Sequence, residues 1–488
     1  MKKGSLKQIT AVLTGMFLWN LPLASCADLS VQEAVDLALE QNTSIKITQK
    51  GEDTAKAALK SARGANSFAV TASGSLNTNR TDGESRQDTS SAGLTAKLPI
   101  YTGGKNEAAI DSAAIGIDSS RLQTERKRED IRLDVIKAYY DVLEAQKTVK
   151  VDQESVDNYQ AHLTNVQQLF SAGSKARIDV LRSSVELSNA RQTLIKAQNT
   201  YEVNMSTLRN LLRLDRNEPL TLTEDFSFVA FQPGMDACID YALVKRKDLI
   251  VDQYTLQQKE LAVKGARAGW LPSLSLSAGT SFSRDFAPDS SSSHGYTAGV
   301  TASWDVFDSG VTQAAVDTAK TARDVAQLTL QKDKEDVDLA VRQAYYNMRE
   351  AEKRFVSTQD AVKQAQEDYY IAREKYRAGE GLMLDIIDAQ LALSTAQLNF
   401  ISAQYDYVRY KATVENAMGL SIGENAEQAV GGSGAAATGS KAADSDKAAA
   451  ESKAVAESKA AVAASASQEA AVEADAAGSP AENEVAQE

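Results

Sequence analysis

Asp385 and Asp388 stand three residues apart, just after the glycine-bearing stretch Lys375-Tyr-Arg-Ala-Gly-Glu-Gly381. On a helix that spacing brings both carboxylates to one face. Such a pair can gather cations, or it can be an ordinary solvated helix face. A twin stretch lies 206 residues earlier, Phe170-Ser-Ala-Gly173 followed by Arg177, Asp179, Val180 and Leu181. Other chemistry is thinly supplied. The chain has two histidines and two cysteines, too few for a histidine–cysteine metal site or a Cys–His nucleophile pair. A Ser–His–Asp arrangement would need His162, inside a heptad pattern, or His294, inside a Ser-rich loop. No catalytic constellation is visible, so neither an enzyme nor a cofactor is expected. The net charge of −13 argues against a nucleic-acid partner, which would need a basic face.

The elements that carry these residues are long helices. Gly379 and Gly381 are expected to let the backbone reverse, because glycine accepts positive φ without a Cβ penalty. The two stretches therefore read as helical hairpin tips that together close one end of a tube. The seam entering the second tip is Val337, Val341, Ala344, Met348, Ala351, Phe355, Thr358, Val362, Ala365, Tyr369, Ala372 and Tyr376. The first copy gives Ile131, Val135, Ala138, Val142, Ala145, Val149, Asp152, Val156, Tyr159, Leu163, Val166 and Phe170. Spacing alternates four and three throughout, the signature of a coiled coil. From Gly104 to Gly173 such a helix runs roughly 100 Å. A thin, alanine-rich hairpin of that length exposes its other faces and needs neighbours.

The chain is a duplicated unit. Tyr101–Gly104 aligns with Phe307–Gly310, Ala138-Tyr-Tyr140 with Ala344-Tyr-Tyr346, and Asp179 with Asp385, all at one offset. The predicted boundaries are a first repeat over 28–214, a linker over 215–234 and a second repeat over 235–422. Each repeat has a helix, a strand pair (68–98 and 273–304), a long helix (104–171 and 310–378), a tip and a return helix (177–214 and 382–420). The strands alternate Leu, Phe, Tyr, Val and Trp with Ser, Thr and Gly, and each is about long enough to cross a bilayer when tilted. That alternation suits an outer-membrane barrel with a wet lumen. Tyr101, Trp304 and Phe307 stand where interfacial aromatics would. The segments 79–91 and 283–295 are expected as polar external loops. Four strands cannot close a barrel, and open edges are not tolerated in lipid. Several chains must therefore contribute, and because eight strands leave a filled interior and twelve a channel, at least three are favoured.

Residues 1–27 look like a secretory signal peptide, with Lys2, Lys3 and Lys7 before an apolar run. Leu23-Ala-Ser-Cys26 offers Cys26 for lipidation, and Ser25-Cys-Ala27 offers cleavage after Ala27. A straight helix from Leu29 to Arg63 would start on the order of 50 Å from the first strand, which favours cleavage with the lipid form as the alternative. Cys238 reads as a small buried apolar residue. The linker, with Leu220-Thr-Leu-Thr223 and Phe226-x-Phe228, is expected to form a small collar. Residues 423–488 are low-complexity and too poor in large apolar residues to bury a core.

The duplicated unit, Leu98-Pro-Ile-Tyr-x-Gly-Gly104 with Trp304-Asp-Val-Phe-x-x-Gly310, and the tips Phe170-x-x-Gly-(x)5-Asp-Val180 and Tyr376-x-x-Gly-(x)5-Asp-Ile-Ile-Asp-Ala389 together resemble the TolC-like outer-membrane efflux proteins. The resemblance covers about residues 29–420. It implies an α+β membrane protein: a homotrimer whose twelve-stranded outer-membrane barrel continues into a twelve-helix periplasmic barrel. It implies an exit duct of a tripartite efflux or type I secretion system, working with a periplasmic adaptor and an inner-membrane pump of RND, ABC or MFS type. It places Asp385 and Asp388 at the periplasmic aperture, where three chains would form an acidic ring that favours cations. It implies tip links among Tyr376, Asp179 and Arg177, and adaptor docking at the turns of Gly173 and Gly379. Gly381 stands where the best-matching tips carry an arginine, and Asn66-Ser-Phe68 stands where copy two has Leu271-Pro272. The rival reading is a periplasmic adaptor or structural coiled coil without a pore. Such a protein would bring one hairpin flanked by compact β domains. The cargo is not legible.

Overall fold

The computed structural model describes residues 27–80, 86–215, 220–287 and 290–430. The expected signal peptide (except Ala27), with Cys26, and most of the expected C-terminal tail lie outside them. In chain order the elements are β1 (Ala27–Leu29), α1 (Val31–Gln41), α2 (Thr43–Ala65), β2 (Ala69–Asn79), β3 (Gln87–Tyr101), α3 (Lys105–Ser171), α4 (Arg177–Leu212), β4 (Leu220–Leu222), α5 (Met235–Lys245), α6 (Lys247–Arg267), β5 (Ser273–Ala287), β6 (Ser291–Ser303), α7 (Val311–Ala378) and α8 (Met383–Met418). The described residues fall into two compact units. One holds those up to Ala55 with Asp130–Val229 and Asn347–Thr413; the other holds Lys56–Glu129, Ala230–Tyr346 and those from Val414.

In the first unit the heptads behave as their spacing requires. Seam residues Val135, Val142, Val166, Met348 and Ala351 are fully or almost fully buried. Phe170 is the exception at 44% exposed. The single helix expected from Leu29 is instead a short strand and two helices broken at Asn42. There the side-chain oxygen accepts from the Ser44 N–H at 2.8 Å and the amide donates to the Leu211 carbonyl at 3.2 Å. These bonds compete with helical hydrogen bonding and end α1. The linker begins with a strand: β4 pairs in parallel with β1, Leu29 opposite Leu222. Tyr139 locks this pair, donating to the Leu29 carbonyl at 2.9 Å. Phe228 stacks on Phe355 at 5.5 Å between ring centres. On α8, Arg409 is enclosed by Asp141, Glu144 and Asp406, and Arg354 also reaches Asp406 at 2.7 Å.

Asp152 sits on the seam at 5% exposure. Burial holds its carboxyl above the usual carboxylate range. A carboxyl whose folded pKa is raised favours the fold while protonated and opposes it as pH rises. Asp152→Asn should therefore stabilise the protein by about 1–2 kcal/mol near pH 7. The gain should shrink towards pH 4, as followed by thermal unfolding in detergent.

In the second unit the sheet is antiparallel in the order β2-β3-β5-β6. The strands run 11, 15, 15 and 13 residues, so much of the two expected external loops is strand. Backbone pairing is indifferent to the serines there, and Ser75 and Ser91 add a hydroxyl bond of 2.8 Å across it. The second copy repeats the helix break of the first, at Arg246 between α5 and α6. Cys238 is fully buried in α5. The tail expected from residue 423 begins later: Ala426 is buried, and Glu424 accepts from the Tyr241 hydroxyl at 3.1 Å.

Candidate functional site

Both tips, in the first unit, are built alike. α3 ends where Gly173 takes φ +78°, and α7 ends where Gly379 takes φ +83°. In each the glycine N–H bonds back to the residue three before it, Phe170 or Tyr376, and the next N–H bonds to the Leu169 or Lys375 carbonyl. These bonds satisfy carbonyls that a helix end leaves open. Gly381, expected to share the reversal, has no positive φ. A Cβ there would lie 2.9 Å from the Tyr376 backbone nitrogen, so glycine is needed for close approach.

The return helices start with matched caps. Asp179 accepts from the Ala176 N–H at 3.3 Å, and Asp385 accepts from the Leu382 N–H at 3.0 Å. A carboxylate in the first turn also meets the positive end of the helix dipole. The repeated aspartate is thus first a helix cap. Asp388 follows one turn later, exposed on the same face as exposed Asp385. Its charge joins burial and Glu186 in pushing the Tyr159 phenol up to about 12.

Tyr376 is 3% exposed in a core with Val166, Ala372, Met383, Ile386 and Ala389. Burial first, and then the Asp179 charge, raise its pKa. The two are close but not bonded: the Tyr376 hydroxyl has no hydrogen-bond partner among the described residues. Arg177 is exposed and forms no ion pair among the described residues. The expected trio of tip links is therefore not joined among the described residues; the Asp179 carboxylate accepts from the Ala176 N–H. Sequence reasoning missed two contacts: Lys175 Nζ lies 4.5 Å from the Tyr376 ring centre, and the His162 ring lies 5.5 Å from it. A cavity of about 400 Å3 opens beside them, lined by Asn158, His162, Asn165, Arg373, Tyr376 and Arg377.

In the second unit the sheet sorts its side chains by face. Leu98, Leu276 and Val300 are directly opposite one another, as are Leu94, Thr280 and Tyr296, and Ala92, Phe282 and His294. The alternate rows are Thr71, Thr95, Gly279 and Thr297, then Ser73, Gly93, Ser281 and Gly295. Val70, Leu76, Val300 and Tyr296 are largely exposed. No helix among the described residues is long and apolar enough to cross a membrane.

The residue pattern that defines the outer membrane efflux proteins matches residues 34–212 and 238–420, the two repeats. The solvent efflux pump outer membrane protein SrpC of Pseudomonas putida is 24% identical over 80% of this chain and 85% of its own. Outer membrane protein TolC of Vibrio cholerae is 22% identical over 85% and 96%. Among solved structures, the Campylobacter jejuni CmeC outer membrane channel superposes with a TM-score of 0.70 at 21% identity, over 81% of this chain and 87% of that one. The chain belongs to the TolC-like outer membrane efflux protein family and is a protein of the outer membrane.

Proposed function

We propose that three copies of this chain form an exit duct: twelve strands closing a barrel in the outer membrane and twelve helices forming a periplasmic barrel gated at its tips. The observation that carries this reading is the four-stranded sheet, apolar on one face and Ser, Thr and Gly on the other, whose outer edges on β2 and β6 pair with no strand among the described residues. Open strand edges cannot stand in lipid, and three such sheets joined edge to edge remove them. Twelve strands leave a lumen rather than a filled core. Transport is passive, driven by an inner-membrane pump and relayed by a periplasmic adaptor that docks near the turns of Gly173 and Gly379. The relatives named for solvent efflux and as TolC support an efflux or secretion role.

In this reading Asp385 and Asp388 form the acidic ring of the aperture. Because Asp385 also caps α8, the informative change is to asparagine, which keeps an acceptor and drops the charge. Purified protein in a planar bilayer should conduct, with a preference for cations. Asp385→Asn with Asp388→Asn should lower that preference severalfold and weaken block by divalent ions. Absence of conductance in every variant would sink the duct. Unaltered selectivity would remove the pair from the aperture.

A further inference from the structure

His162 is the one histidine of the tip, and neither the aperture nor the tip links use it. Its ring packs at 5.5 Å from that of Tyr376. Its Nε2 is buried and has no hydrogen-bond partner among the described residues. We propose that His162 is a proton-operated latch, neutral when the two hairpin tips are packed together and driving them apart when it takes up a proton.

The neighbours set the sign. From its own helix, α3, the cavity receives only neutral groups besides His162, among them the amides of Asn158, Asn165 and Gln168 and the hydroxyl of Thr164. From α7 come the phenols of Tyr369 and Tyr376 and the guanidiniums of Arg373 and Arg377. Glu374, between these arginines on α7, is occupied by both of them at 3.2 and 3.1 Å. α8 offers Ile386. The turn before α4 adds Lys175 over the Tyr376 ring, and the Asp179 carboxylate is held at Ala176. A neutral imidazole fits this company. An imidazolium would share a small cavity with two cations, and no acid lines that cavity; Glu186 and Asp388 act on Tyr159, one turn away, and do not line it. A buried charge without a partner is strongly disfavoured, and separating the tips would hydrate it. Burial already holds His162 below the ordinary histidine value. Protons therefore favour the separated state. A single coupled site shifts the open-to-closed ratio by up to about tenfold per pH unit between its two pKa values.

The latch rests on the gated-tip reading, so its test uses a readout apart from conductance. Fluorophores at Ser174→Cys and Glu380→Cys, both exposed turn positions, report the spacing of the two tips in the full-length protein. Lowering pH from about 7.5 to about 5, across the ordinary histidine pKa, should widen that spacing. His162→Phe, which keeps a ring and cannot be protonated, should abolish the response. His162→Lys should give the wide spacing already at neutral pH. A pH response that survives in His162→Phe would assign the proton to another group and overturn the latch. An unchanged spacing in the unaltered protein that still conducts would overturn the latch and leave the duct standing. A pH response that His162→Phe abolishes, in protein that never conducts, would support the latch and count against the duct.

Discussion

Replacing Arg409 by methionine should cost about 3 kcal/mol or more of folding free energy, the range found when one partner of a buried ion pair is removed. Arg409 is 17% exposed and holds Glu144 at 2.5 Å and Asp406 at 2.6 Å, with Asp141 also in contact. These residues tie α8 to α3 inside the first unit. Arg354 offsets part of the charge on Asp406 but reaches neither Asp141 nor Glu144. Without Arg409, three carboxylates would face one guanidinium. Burial already pushes the Glu144 carboxyl above the ordinary range, although Arg409 opposes it. In Arg409→Met the opposing cation is gone and the folded pKa must rise further. A raised carboxyl pKa makes the fold gain stability as pH falls and lose it as pH rises. The penalty should therefore be largest at and above pH 7 and shrink towards pH 5. Adding Glu144→Gln should recover part of it at pH 7. Denaturant midpoints at fixed protein concentration in detergent measure both effects. An Arg409→Met protein as stable as the unaltered one at pH 8 would show that the cluster stays hydrated.

What was legible in the sequence is what depends on local periodicity. The heptads place α3 and α7 within a residue of their expected starts, because a seam spaced four and three can be buried by one conformation only. The alternation of the strands likewise named the two faces of the sheet. The break at Asn42 depends on one side chain choosing a cap bond over a helical one, and no period announces it. The strand lengths were hidden because serine-rich stretches pair through their backbones as well as apolar ones do. The deeper limit is the repeat itself. Phe170 and Tyr376 occupy matching positions, yet one is half-exposed and the other lies in the tip core. His162 matches Asp368 in the second copy, so the repeat gave no hint that an imidazole belongs beside Tyr376. Matching positions share their local structure, but their neighbours differ.

Glu129 shows the same asymmetry and carries the second large effect. Its counterpart in the second copy, Glu335, is exposed, whereas Glu129 is 3% exposed in the second unit. It pairs with Arg126 at 3.1 Å and with Lys247, themselves mostly buried. The same two cations hold the end of the described chain. Arg126 donates to the carbonyl and side-chain oxygens of Asn416 at 3.0 Å each, and Lys247 donates to Ser421 at 3.2 Å. Arg246 adds a bond to the Ala417 carbonyl at 3.0 Å. Glu129→Gln keeps the shape and removes the carboxylate that Arg126 and Lys247 share. Two enclosed cations would then repel each other, at a cost of about 3–5 kcal/mol. Because both cations also grip residues 416–421, the loss should not be uniform. Amide hydrogen exchange should rise most over 416–424 and much less in the four-stranded sheet, whose ladder does not involve Glu129. Adding Lys247→Met restores the net charge of the cluster, and should return about half of the lost stability if the repulsion is its main source. Glu129→Gln exchange rates that rise equally in the sheet and in 416–424 would place the loss in global unfolding and reject a local clamp.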